Sequence, residues 1–204
     1  ITPIGEEYHT LTARQGMTPK AAQTRVRANT TVLASMLLHR GDADAMLCGT
    51  FGSYSKHLLL AEEIIGRRDG SPVVGALTVL ILQQGTIFLT DTHVNFDPTP
   101  EQLCELGKLA ADEIRRFGIQ PKAAFLSHSN FGSQNTTSAA KVREATAMFM
   151  ERYPDIEADG EMHADAALDE KVRLDLLPTT KLTGKANLLI CPNLDSANIA
   201  RNLL

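Results

Sequence analysis

Residues 127–137, SHSNFGSQNTT, gather groups that can hold an anion: Ser127, Ser129, Asn130, Gly132, Ser133, Asn135 and two threonines. They follow an apolar run of strand length at 123–126 and precede an amphipathic helical pattern. A strand feeding such a loop and then a helix brings backbone N–H groups and the positive end of a helix dipole to one point. That arrangement suits phosphate above all. The same residue types also turn a chain and cap a helix with no ligand present. Gly49, Thr50, Phe51, Gly52 and Ser53 form a second glycine-rich loop ahead of a helix, and there simple turn formation is the better reading.

In DGEMHAD, Asp159, Glu161, His163 and Asp165 recur at every second position. A fully extended chain would point all four to one side, as a divalent-metal or acid–base site needs. Gly160 and the helical pattern from Ala164 should break the extension and make the side chains diverge, so no metal site is expected. Asp91, His93 and Asn95 lie in a polar loop that turn chemistry largely explains. Lys185, Asn187, Asn193 and Asn198 surround the last strand and helix, as pocket residues or as ordinary caps. Ser127 and Ser129 flank His128, but neighbours in a chain point apart and form no nucleophile–base pair. There is no G-x-S-x-G elbow, P-loop lysine motif or G-x-G-x-x-G after a strand.

These residues need elements to position them. Residues 1–17 read as irregular. A helix starts at Thr18-Pro19 and runs to Gly41, with Thr18 as N-cap and Pro19 at the first position. Residues 45–48 read as a short buried strand, and a helix spans 54–65. The charged, glycine-bearing stretch 66–72 reads as a linker. Two β-like runs joined at Gln84-Gly85 predict an antiparallel hairpin. Thr99-Pro100-Glu101-Gln102 predicts a capping box and a helix that buries Leu103, Leu106, Ala110 and Ile114, with Gly118 ending it. A strand at 123–126 follows, then a helix burying Val142, Ala145, Met148 and Phe149. A strand at 156–161, a helix at 164–174, a strand at 186–191 and a final helix from 194 complete the chain. Strands alternating with helices at this spacing predict an α/β layered fold with a largely parallel sheet. Ligands in such sheets sit beyond the carboxyl ends of the strands. The loop 127–133, the stretch 159–165 and Pro192-Asn193 all fall there.

At 204 residues the chain is one large domain or two modest ones. A net charge of −4 and only 5% aromatics give no case for nucleic acid. Cys48, Cys104 and Cys191 are odd in number and far apart, so free thiols in a reducing cytoplasmic compartment are expected. The longest apolar run, 73–82, is far short of the ~20 residues that span a membrane. The chain starts at Ile1 without Met and stops on an unclosed helix, which suggests a piece of a longer protein.

The segments GMTPKAA, GDADAML, NFDPTPEQL, FGIQPKAAFLSHSNFGS, DGEMHADAAL and GKANLLICPNLDSANIA, in this order, resemble the phosphate acetyltransferase (phosphotransacetylase) family. The variants MLCGTFG, LSHSNFGS and DGEMHADAAL look most like its relatives joined to the C-terminal side of bacterial NADP-dependent malic enzymes. The resemblance implies a phosphotransacetylase-like α/β/α fold, similar to isocitrate and isopropylmalate dehydrogenases. Part of a first lobe would occupy 1–70 and a second lobe 71–204, with a malic-enzyme domain upstream. It also implies a homo-oligomer, at least a dimer, and a site for acetyl-CoA or a similar CoA ester. Ser127, Ser129, Asn130, Gly132, Ser133, Lys141, Asp165 and Asn193 are the residues expected to bind it. No catalytic residue, metal ligand or cofactor is expected within the chain; NADP and Mg or Mn would belong to the upstream part.

The departures from the family pattern matter as much. Active members carry an Arg-Lys pair before the Gly-Met-Thr turn, where this chain has only a displaced Arg14. They carry Leu-Arg-Pro where this chain reads Leu58-Leu59-Leu60, and a Ser-Arg-Gly segment beyond the final helix that the chain does not reach. Acetyl phosphate chemistry depends on positioned cations, and a leucine supplies neither charge nor hydrogen-bond fork. The expectation is therefore a regulatory module that binds acetyl-CoA, biases an attached malic enzyme and has no acetyltransferase activity. An active phosphate acetyltransferase using Arg14 is the alternative, and a purely oligomerising module is a third.

Overall fold

The computed structural model describes residues 2–68 and 70–204. Ile1 and Asp69, which fall in the expected irregular start and in the linker, lie outside the described residues. The chain divides into two compact units, 1–69 and 70–204.

The first unit is helical among its described residues: α1 (Thr2–Thr12), a 3-10 turn (Ala13–Gln15), α2 (Pro19–Ala28), α3 (Thr30–His39) and α4 (Tyr54–Ile64). The expected irregular start is instead a helix and turn, held by packing rather than by local signals. Tyr8 is fully buried with Ala22, Val26, Val32, Met36 and Ile64. Gly5 lets the helix approach α2, for a Cβ there would stand 2.8 Å from Gln23 Cγ. The single helix expected after Thr18 breaks at Asn29, whose extended backbone ends α2. Its side chain accepts from Thr31 and Val32 N–H and caps α3. Residues 45–48 form no strand, and Leu47 is fully exposed. A strand needs a neighbour for its backbone groups, and the described part of this unit contains none.

The second unit is an α/β/α sandwich. Its elements are β1 (Thr78–Leu82), β2 (Gly85–Thr90), α5 (Pro100–Arg116), β3 (Lys122–Leu126), α6 (Thr137–Arg152), β4 (Glu157–Met162), α7 (Ala164–Leu168), α8 (Glu170–Leu176), β5 (Leu188–Ile190) and α9 (Leu194–Leu203). The sheet order is β1-β2-β5-β3-β4, with β1 antiparallel to β2 and the remaining pairs parallel. Alternation along the strands splits the core into two layers. Phe88, Ala123, Phe125, Leu188 and Ile190 face α5 and α6. Ile87, Leu89, Ala124, Leu126 and Leu189 face α7 and α9. The α5 capping box forms as its sequence predicts, Thr99 accepting from Gln102 N–H while the Gln102 side chain accepts from Thr99 N–H. The helix expected over 164–174 breaks at Asp169, which caps α8 through Lys171 and Val172 N–H. No helix among the described residues is long and apolar enough to cross a membrane.

Candidate functional site

The loop after β3 is shaped by an irregularity in the neighbouring strand. Phe125 pairs with Gly160 but Leu126 pairs with Met162, so Glu161 is an extra residue in β4. Such a bulge re-aims a side chain. Gly160 permits it: its φ is +151°, and a Cβ would lie 2.8 Å from the Phe125 carbonyl oxygen. The Glu161 carbonyl accepts from Phe131 N–H, and its carboxylate, 1% exposed, enters the loop.

That carboxylate takes up the donors expected for an external anion. Its Oε1 accepts from the Ser129 hydroxyl at 2.8 Å, Gly132 N–H at 2.9 Å and Arg143 Nη2 at 2.8 Å, while Oε2 accepts from Arg143 Nε at 3.1 Å. The loop's other donors also close internally. Ser129 Oγ accepts from Gln134 N–H, Ser133 Oγ from Asn130 N–H, and Ser127 Oγ from Ser129 N–H. Asn130 Oδ1 accepts from His163 N–H, and Gln134 O accepts from Arg143. Burial works to raise the Glu161 carboxyl, but the bonds from Arg143, Ser129 and Gly132 outweigh it and hold it below the ordinary glutamate value. The anion of this loop is the protein's own.

Five of the eight expected ligand residues, Ser127, Ser129, Asn130, Gly132 and Ser133, thus meet in one loop. Lys141 and Asn193 meet elsewhere. They line a cleft of about 350 Å³ with Phe96, Asp97, Thr137, Ser138 and Asp195, beside the N-termini of α6 and α9. Lys141 Nζ donates to Asp97 Oδ1 at 2.5 Å and to the Pro192 carbonyl at 2.9 Å. Asn193 caps α9 by accepting from Ser196 N–H. Asp165 joins neither group: it is exposed, and its carboxylate accepts from Ala166 N–H at the start of α7.

The other candidates resolve into structural roles. Asp159 is buried and accepts from the Thr180 hydroxyl and Lys181 N–H, so it and Glu161 serve different loops. No cluster of three or more His, Cys, Asp or Glu among the described residues could hold a metal. Asp91 accepts from Ala76, His93, Val94 and Asn95 N–H and closes its own turn. His93 Nε2 accepts from Arg201 on α9; burial, with the Arg201 charge behind it, lowers its pKa below the ordinary imidazole value. Asn187 bonds Lys122 N–H and the Gln120 carbonyl at the start of β3, away from Asn193.

The first unit carries its own cleft, of about 710 Å³, lined by Gln15, Arg25, Asn29, Lys56, Leu59, Leu60, Glu62 and Glu63. Leu59 is 65% exposed in it. Arg25 lies 3.6 Å from Glu63, which also accepts from the Tyr8 hydroxyl, and Glu62 is paired with Arg67. In the glycine loop, His57 Nε2 donates to the Phe51 carbonyl and Nδ1 accepts from Thr31, beside a hollow of about 460 Å³. The Glu161–Arg143 pair and the residues around Lys141 were not legible as site partners. Their one local signal is Glu161 itself, one of three acidic residues in the six-residue strand β4.

Comparison with known proteins fits this architecture. Residues 2–204 match the profile of the phosphate acetyl/butaryl transferases. The NADP-dependent malic enzyme of Salmonella typhimurium is 48% identical over 198 residues, 97% of this chain and 26% of that protein. The phosphate acetyltransferase of Synechocystis is 32% identical over 193 residues, 95% of this chain and 28% of that protein. The chain therefore spans about a quarter of the length of these relatives. The EutD phosphotransacetylase of Staphylococcus aureus superposes with a TM-score of 0.88 at 25% identity, covering 98% of this chain and 62% of that one. With a match over nearly its whole length and a shared fold, the chain belongs to the phosphate acetyl/butaryl transferase family.

Proposed function

We propose that the chain is a phosphotransacetylase-like regulatory module of an NADP-dependent malic enzyme. It binds acetyl-CoA or a related CoA ester and biases the conversion of malate to pyruvate and CO2 by a domain elsewhere in the polypeptide. It also helps to hold a homo-oligomer, and it has no acetyltransferase activity of its own. NADP and a divalent metal act in that other domain.

The observation that carries the reading is the charge balance of the first unit's cleft. Arg25 stands against Glu63, Glu62 is taken up by Arg67, and the exposed Leu59 occupies a position where the family resemblance calls for arginine. Stabilising a transferring phosphoryl or acyl group needs uncompensated, positioned cations. Binding a CoA ester asks less, because a nucleotide and its apolar arm can be held without charge development at a reacting atom. Identity of 48% to a malic enzyme against 32% to a phosphate acetyltransferase supports the same parent.

The test uses the full-length polypeptide. Malate-dependent NADPH formation, followed across an acetyl-CoA titration, should shift in malate saturation or maximal rate. Acetyl phosphate should not form from acetyl-CoA and phosphate. Acetyl phosphate production above the uncatalysed rate overturns the non-catalytic reading, and an acetyl-CoA-independent rate overturns the regulatory one.

A further inference from the structure

Helix α9 is fastened along its length to the loop that leaves β2. Leu194 N–H donates to the Phe96 carbonyl at 3.0 Å. Farther along, Asn198 Nδ2 donates to the Thr92 carbonyl at 3.3 Å, and Arg201 Nη1 meets His93 Nε2 at 2.9 Å. The first half of the helix is also held by burial, with Ala197 wholly enclosed in the core. In the second half Ala200 packs only partly against that core, and Ile199 and Leu203 are exposed. There the polar contact at Arg201 carries more of the attachment.

The hydrogen bonds fix where the His93 proton sits. Arginine has donors, no acceptor, and keeps its charge, so Nε2 must offer its lone pair. The neutral imidazole then carries its proton on Nδ1, which lies 2.7 Å from Thr92 Oγ1 and donates to it. Thr92 is left to donate its own proton to Thr78 Oγ1 on β1, at 2.8 Å. The bonds thus run one way, from Arg201 on α9 through His93 and Thr92 to Thr78. A second ring proton would go to Nε2. It would set an N–H and a positive charge directly against the guanidinium.

We propose that the Arg201–His93 contact is a proton-operated latch. While His93 is neutral it holds the second half of α9 on the 91–97 loop, and it opens when the imidazole takes its second proton. Arg201 faces the ring from α9 and Asp91 from the ring's own loop, while Thr78 on β1 brings no charge. Asp91 favours the protonated ring, but its carboxylate is engaged by the N–H groups of Ala76, His93, Val94 and Asn95. Burial and then the Arg201 charge prevail, and they hold the imidazole below its ordinary value. Opening is therefore insensitive to pH well above the unfolded value of about 6.5. Below that it becomes progressively easier, until pH passes the depressed folded value. The latch also reaches the second unit's cleft. Phe96 and Asp97 on the loop, and Asn193 and Asp195 on α9, line that cleft with Lys141, so opening loosens the walls around Lys141.

The full-length polypeptide provides the test, by hydrogen exchange read by mass spectrometry and corrected for the intrinsic pH dependence of exchange. From about pH 7.5 to about pH 5.5, the opening constant of amides in the second half of α9 should rise severalfold. About tenfold is the ceiling for one proton gained a pH unit below the unfolded value of about 6.5. Peptides from β3 and β5 should not follow. His93→Gln keeps a neutral acceptor for Arg201 and should abolish the pH dependence. Arg201→Gln gives a neutral partner that can donate to the neutral ring or accept from the protonated one, so it should abolish the dependence as well. Because Arg201→Gln leaves His93 in place, it decides the matter should His93→Gln fail to fold. A contact that is only structural would loosen α9 in Arg201→Gln while leaving its pH profile as in the unaltered protein. That result overturns the proposal, as does a pH-independent α9 in the unaltered protein or acid loosening that extends equally to β3 and β5. None of these readouts involves acetyl-CoA or malate, so failure here and failure of the proposed function are scored separately.

Discussion

At the scale of single residues, the most informative side chain is Glu161. A carboxylate with 1% exposure survives only when paired and hydrogen-bonded, and Arg143, Ser129 and Gly132 supply that pairing. Glu161→Gln keeps the shape but loses the charge-assisted bonds, so destabilisation of about 2–3 kcal/mol is expected in chemical denaturation. The variant should also change the acid limb. Because the folded carboxyl lies below its ordinary value, its stabilisation is complete above the unfolded value of about 4.3 and is lost as pH falls through the depressed folded value. Glu161→Gln should therefore flatten the stability–pH curve in that window. An unchanged acid transition would show that Glu161 does not anchor the loop.

At the scale of elements, contacts with mixed signs allow magnitudes to decide. Gly107 sits mid-helix in α5, where alanine ordinarily gains about 1 kcal/mol. Yet a Cβ there would lie 3.0 Å from Ile190 Cδ1, 3.1 Å from Phe149 Cε2 and 3.3 Å from Phe125 Cζ. Overpacking a core costs about 1–3 kcal/mol, so Gly107→Ala should lower the melting temperature despite its helix propensity. Arg173 presents a different case, a buried cation held by backbone carbonyls. Fully buried, it donates to the carbonyls of Ala166, Ala167, Leu182 and Gly184, tying α7 and α8 to the chain entering β5. Arg173→Met should cost about 3–5 kcal/mol in thermal or denaturant unfolding, because it leaves those carbonyls without their donor.

These elements also show what a sequence discloses. α5 and α6 were legible because cap and apolar spacing are local: Thr99 and Thr136 each sit one residue before the helix they cap. α1 was not, since its order comes from Tyr8 and Gly5 packing on other helices. Asn29 and Asp169 each hide a break inside a continuous helical pattern, although each is a residue type that caps. Residues 45–48 have strand composition, but a strand is a property of a pair, and the described residues of this unit hold no partner for it. At the site, the loop's donors were legible and their acceptor was not. Glu161 turns inward through a bulge, and no spacing rule announces a bulge.

At the scale of the whole molecule, the two units differ in what holds them. The second has a sheet covered on both faces by buried side chains. The first is built around six buried residues, Tyr8, Ala22, Val26, Val32, Met36 and Ile64, while Leu47, Phe51 and Leu59 stay exposed. A core of that size in fewer than about 70 residues rarely supplies more than about 3–5 kcal/mol. The first unit should therefore open first: amides of α1–α4 should exchange through a lower-energy opening than those of β3 and β5. Its cleft makes this opening sensitive to ligand. If acetyl-CoA binds there, concentrations about 100-fold above Kd should raise the opening free energy by about 2.7 kcal/mol. That gain should be largest in α2 and α4, which carry Arg25, Lys56 and Leu59. Equal protection throughout the chain would mean that the effector is held elsewhere. Protection confined to α6 and α9 would assign it to the cleft around Lys141 and Asn193.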